Sequence, residues 1–195
     1  MLNFKKIILA SLLLPVTSFC SGVFSYDNLG YVTDLQKQSF VTLSSGYSQF
    51  YNPDGTDSNS QVPLAFSLGS GTNYKLNDRL YLGYEVSIAH LASQSFKIAE
   101  KEYSDHVFNF GATTVASFFF NPYLDLHLKA GVGYQLNSGS SLDMSGVNAI
   151  YGVGTGFYFN ENSKVTFDLT QYTGNHDINS VQQFTTFTLG LNYYY

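Results

Sequence analysis

Six side chains hold most of the chemistry this sequence offers: Lys75, Glu85, Asp125, His127, Lys129 and Asp168. Asp125, His127 and Lys129 recur at every second residue, which in a strand places all three on one face. Collected in one interior, such groups can act in three ways. Two carboxylates can divide general acid and general base work. Opposite charges can pair into a network that fixes strand register, with Lys129 meeting Glu85, Asp125 or Asp168. The same charges can line a narrow ion path or gate. Catalysis also needs a pocket for a substrate, and no part of the sequence points to one.

Other chemistries find less support. His90, His106 and His176 fall near strand–loop junctions, yet no His-x-His, His-Glu-x-x-His or Asp-rich Gly loop is present. Gly152-x-Gly154-x-Gly156 alternates inside a strand, so it reads as a row of small interior residues; a dinucleotide fingerprint would need a strand-to-helix turn. Cys20 is the only cysteine and lies in an N-terminal leader, which leaves no thiol for a disulfide, a metal or a nucleophile. Without Lys5 and Lys6 the chain has seven basic residues against fourteen acidic ones. No basic stripe remains, which argues against nucleic acid and other polyanions as partners.

The elements that position these residues are strands. Met1–Ser25 has the charged, apolar and small-residue regions of a secretory signal peptide, with cleavage after Ser25 expected and Cys20 or Gly22 as alternatives. Tyr26–Lys37 is a patternless lead-in. Eight runs follow: Gln38–Tyr51, Val62–Leu76, Leu80–Ala92, Tyr103–Phe120, Tyr123–Gln135, Val147–Phe159, Lys164–Tyr172 and Gln183–Tyr195. Within them apolar residues alternate with Gly, Ser, Thr, Asn and the charged set. Charged residues make up 12 % of the chain and aromatics 17 %, whereas soluble domains carry about 25 % charge. Strands long enough to cross a bilayer, roughly nine to eleven residues, suit lipid on one side and a polar interior on the other.

The breaks alternate in length. Asn52–Gln61, Ser93–Glu102, Leu136–Gly146 and Thr173–Gln182 are long polar loops; Asn77–Arg79, Asn121–Pro122 and Asn160–Ser163 are tight turns. Long external loops with short periplasmic turns are the outer-membrane pattern. The expected fold is all-β, an eight-stranded antiparallel up-and-down transmembrane β-barrel over 38–195 with both termini periplasmic.

Gly71-Thr72-Asn73-Tyr74-Lys75-Leu76, the turn Asn77-Asp78-Arg79 and Leu80-Tyr81-Leu82-Gly83-Tyr84-Glu85 together resemble the second-to-third strand hairpin of the small OmpA/OmpX-like outer-membrane barrels. Lys129-Ala130-Gly131-Val132-Gly133-Tyr134 resembles their fifth strand. Thr188, Gly190, Tyr193 and Tyr195 are similar to their terminal assembly signal, which is read by the barrel-insertion machinery. The final residue departs from the commoner Phe, and tyrosine replaces tryptophan in the interfacial girdles. The resemblance implies a monomer without a prosthetic group, embedded in outer-membrane lipids, and does not extend to a peptidoglycan-binding domain. It implies an envelope role, or contact with a host or cell-surface ligand through the loops. A narrow channel for ions or solutes is the alternative. Lipid-modifying enzymes also occur among outer-membrane barrels, and here only His90 with Ser93 and His176 with Ser180 pair a histidine with a nearby serine.

Overall fold

The structure, a computed structural model, describes residues 37–50, 57–58, 64–98, 101–138, 145–174, 181 and 183–195. The leader, Cys20, the lead-in up to residue 36, and most of the first, third and fourth long breaks lie outside the described residues. The described residues form nine strands: β1 Lys37–Phe50, β2 Asp57–Ser58, β3 Leu64–Lys75, β4 Leu80–Ile98, β5 Lys101–Asn121, β6 Leu124–Ser138, β7 Gly146–Asn160, β8 Ser163–Tyr172 and β9 Phe184–Tyr194. All but the two-residue β2 are barrel staves. Each pairs antiparallel with its neighbour in sequence, and β1 closes on β9 from Phe40↔Tyr194 to Phe50↔Phe184. The result is a closed eight-stranded up-and-down barrel.

Three tight turns share one device. Asn77 Oδ1 accepts the backbone N–H groups of Arg79 and Leu80 at 2.9 Å each. Asn121 Oδ1 accepts that of Tyr123 at 2.8 Å and Asn160 Oδ1 that of Asn162 at 2.9 Å. An asparagine side chain thus closes each reversal as an Asx-turn. The tight turns and the outer ends of β1 and β9 share one end of the barrel; the long breaks share the other.

Polarity is inverted relative to a soluble domain. Leu128 on β6 is 57 % exposed, while Asp125, three residues earlier, is fully buried. Leu43, Phe66, Phe157, Phe167 and Leu189 likewise face outward, and Glu85, Asn109, Thr113, Thr166 and Asn192 face inward. That is the partition a barrel in lipid requires.

Two features differ from the sequence expectation. Ser93–Glu102 reads as a loop, but the β4–β5 ladder continues through Lys97↔Glu102 and Ile98↔Lys101, and β2 adds to its edge at Asp57↔Lys97. Backbone pairing needs no apolar face, so the ribbon persists after the alternation stops. A bulge in β4, where Ala92 rather than Leu91 follows His90 in the ladder, also turns Leu91 and Ala92 both inward.

Candidate functional site

The barrel interior is layered. Next to the tight turns, five inward rings follow one another: Tyr81 lies 4.8 Å from Phe119, Phe119 5.6 Å from Tyr158, Tyr158 5.7 Å from Tyr194, and Tyr194 5.6 Å from Phe40. These come from β4, β5, β7, β9 and β1 and form a lid across the mouth. Tyr158 donates its hydroxyl to Tyr194 at 3.2 Å.

Above the lid runs a single chain of charges. Lys164 Nζ lies over the rings of Tyr158 and Tyr194, 5.2 and 5.9 Å from their centroids, a cation–π placement. It donates to Asp125 Oδ2 at 3.0 Å. Asp125 Oδ1 meets His127 Nδ1 at 2.8 Å, and His127 Nε2 meets Asp168 Oδ1 at 2.8 Å. The same Asp168 oxygen is 3.3 Å from Lys129 Nζ, which donates to Glu85 Oε2 at 3.2 Å. A neutral imidazole has one N–H and one lone pair, so two facing carboxylates are both satisfied only by the doubly protonated ring. Three cations then balance three carboxylates along the chain.

Glycine makes the chain possible. In the ladder His127 pairs with Gly154, and Gly154 pairs with Asp168. A Cβ on Gly154 would stand 2.5 Å from His127 Nε2 and 2.7 Å from Asp168 Oδ1; one on Gly156 would stand 2.5 Å from Lys164 Cδ. The Gly152, Gly154, Gly156 row is a trench across β7 through which β6 and β8 side chains touch.

Beyond Glu85 and Lys129 lies a cavity of about 50 Å³, lined by hydroxyls of Thr42, Ser44, Thr113 and Thr186 and roofed by Leu91, Ile150 and Tyr172. At about 10–15 Å³ per water it has room for a few waters and for no organic substrate. The roof belongs to an apolar cluster of Ala89, Leu91, Ala92, Val107, Ile150, Tyr172 and Phe184. Polar groups therefore occupy the middle of the interior, between an aromatic lid and an apolar roof.

Of the six residues singled out in the sequence, five are in the chain. Lys75 is not: at the end of β3 it reaches sideways to Asp78 in the adjacent turn, at 2.9 Å. That hydrogen bond holds the exposed Asp78 carboxyl below its ordinary value. Lys164 takes the sixth place, a residue that strand parity with Asp168 would have indicated. Thr188 and Gly190 face inward, while Tyr193 and Tyr195 face outward at 56 % and 70 % exposure. The Tyr195 amide donates to Ser39 O at 3.0 Å across the β1–β9 seam. His176 and Ser180 lie outside the described residues. His90 and His106 are both on the outer surface. Among the described residues no group of three or more His, Cys, Asp or Glu is placed to hold a metal ion.

The fold recurs in solved structures. Ail, the attachment invasion locus protein of Yersinia pestis, matches with a TM-score of 0.53 at 16 % identity, over 82 % of this chain and 99 % of that one. A second Ail structure, in complex with the heparin analogue sucrose octasulfate, gives the same values. Neisserial surface protein A matches with a TM-score of 0.52 at 14 % identity, over 80 % and 96 % of the two chains. At these identities the likeness is one of fold, and no curated protein matches in sequence. The family model for the outer membrane protein beta-barrel domain covers residues 12–194. With that match and a closed eight-stranded barrel that is apolar outside and polar within, the chain belongs to the outer membrane protein β-barrel family of Gram-negative bacteria.

Proposed function

We propose that this barrel is a non-enzymatic surface protein that makes its contacts through the segments beyond its long-loop end, with both termini on the periplasmic side. One observation carries the reading: the β4–β5 hairpin outruns the rest of the barrel. Among the described residues the β6 ladder on β5 begins at His106, while β5 continues from Lys101 paired to β4. Those five further residues project about 17 Å at roughly 3.4 Å each. With β2 on its edge, this ribbon is a paired platform displayed away from the membrane, where recognition is expected to reside.

The interior supports the same reading. Its ionisable groups are tied to one another between a lid and a roof, which among the described residues leaves little room for a substrate and favours a stopper over a conduit. Ail binds a heparin analogue, but the breaks of this chain carry Asp54, Asp57, Asp143 and Asp177 and no basic stripe. A sulfated glycan is therefore an unfavourable ligand here, and a protein or cationic surface suits better.

The test is display of the full chain on Gram-negative cells beside a variant with Ser95–Ser104 replaced by Asn-Gly, which joins the paired Gln94 and Asp105. Retained heat-dependent gel mobility with lost attachment to host cells supports the reading. Equal attachment by both, or steady conductance of the purified protein in a planar bilayer, overturns it.

A further inference from the structure

His90 and His106 are diagonal neighbours on the outer surface, with His90 opposite Phe108 on β5 and His106 opposite Ser93 on β4. Diagonal partners on one face of an antiparallel pair lie within reach of long side chains. Their ring centroids are 6.1 Å apart and the planes are tilted by 41°. Two imidazoles on one tetrahedral zinc ion, with Zn–N of about 2.0–2.1 Å, place their centroids roughly 5 Å apart. The observed separation is longer by about 1 Å, a gap that side-chain rotation closes without rearrangement of the sheet.

The His90 ring is also held in place. It lies edge-on to Phe108 at 5.1 Å. His106 is exposed. The pair lies at the level of Phe66, towards the long-loop end, and is reached from outside without entering the barrel.

We propose that His90 and His106 form a two-ligand site for a borderline-soft divalent ion, Zn²⁺, Ni²⁺ or Cu²⁺, with its other positions taken by water or an anionic oxygen. Imidazole suits these metals, whereas Mg²⁺ and Ca²⁺ prefer oxygen ligands. Zn²⁺ and Ni²⁺ titrations by calorimetry on the untagged full chain in detergent micelles should show one saturable site, and Mg²⁺ none. His90→Asn and His106→Asn should each weaken it on the order of 100-fold or more, at least the loss seen when a supporting residue is removed. His176→Asn should leave it unchanged. Electron paramagnetic resonance with Cu²⁺ should detect two equatorial imidazole nitrogens in the parent and one in each variant. His106 is exposed, so if His90→Asn fails to fold, the His106→Asn titration decides alone. Absence of a saturable site, indifference to His106→Asn, or loss on His176→Asn would overturn the proposal.

Discussion

Asp168 on β8 stands 2.8 Å from His127 on β6, although β7 lies between them, because the intervening ladder residue is Gly154. Two strands thus exchange a charged hydrogen bond over the back of a third. The contact joins the two halves of the charge chain, Lys164–Asp125–His127 on one side and Asp168–Lys129–Glu85 on the other. A packed polar column of this kind ties register to side-chain pairing, since a one-residue slip would turn every member outward.

Gly154→Ala should therefore destabilise the barrel even though alanine is small and strand-compatible. Its Cβ would press on His127, on Asp168 and on the Phe167 carbonyl, the last at 2.7 Å and unable to swing aside. Overpacking of this sort costs about 1–3 kcal/mol. Urea unfolding of the refolded protein in lipid vesicles would measure it, and an unchanged midpoint would mean that the trench has slack.

Asp168→Leu should cost roughly 3–5 kcal/mol, the usual penalty when one partner leaves a buried charge uncompensated. Adding Lys129→Met should recover part of that loss, because apolar replacement of a whole buried pair is often neutral. Lys75→Ala is the control. Its pair with the exposed Asp78 is at the rim, so the unfolding midpoint should not move. If Asp168→Leu and Lys75→Ala behave alike, the column is not holding the fold.

The stack of lid, charges and roof predicts a closed pore. Planar-bilayer recordings of the parent should show no steady conductance. Leu91→Ser with Phe184→Ser should thin the apolar roof and still leave the barrel shut, because Phe40, Tyr81, Phe119, Tyr158 and Tyr194 cover the other mouth. Adding Phe40→Ala and Tyr194→Ala should open it. Conductance from the roof variant alone would show that the lid does not seal.

How far the sequence reveals this interior depends on parity. Asp125, His127, Lys129 and Asp168 stand singly among apolar neighbours, so alternation alone assigns their face. Lys164 shares the parity of Asp168, but it opens its strand beside a turn and reads as a boundary residue. The lid is harder to see. In Phe118-Phe119-Phe120 and Tyr193-Tyr194-Tyr195 each residue is aromatic, and hydrophobicity cannot say which ring turns inward. Parity carried along the strand does, since Tyr194 falls opposite Leu189, Leu191 and Tyr193, and Phe119 opposite Phe118 and Phe120; that the five rings meet shows only in the ladder register, as in Phe119↔Asp125 beside the bulge before Asn121. Ala92 escapes for the related reason that the β4 bulge at Leu91 breaks the period of two on which the reading depends. The β4–β5 extension is hidden because polar alternation in water carries no burial signal.

Tyr195 gives a prediction about assembly rather than stability. Its ring is outward and 70 % exposed, and its amide bonds Ser39 across the seam that closes the barrel. A charge there would meet lipid or the insertion machinery before the seam is made. Tyr195→Asp should lower the folded, outer-membrane fraction of the protein more than deletion of Asn52–Gln61 does, as read by heat-dependent gel mobility of membrane fractions. The protein that does insert should unfold at nearly the parent urea concentration, because the substituted ring makes few interior contacts. Equal yields for the two variants would count against Tyr195 as part of the proposed assembly signal.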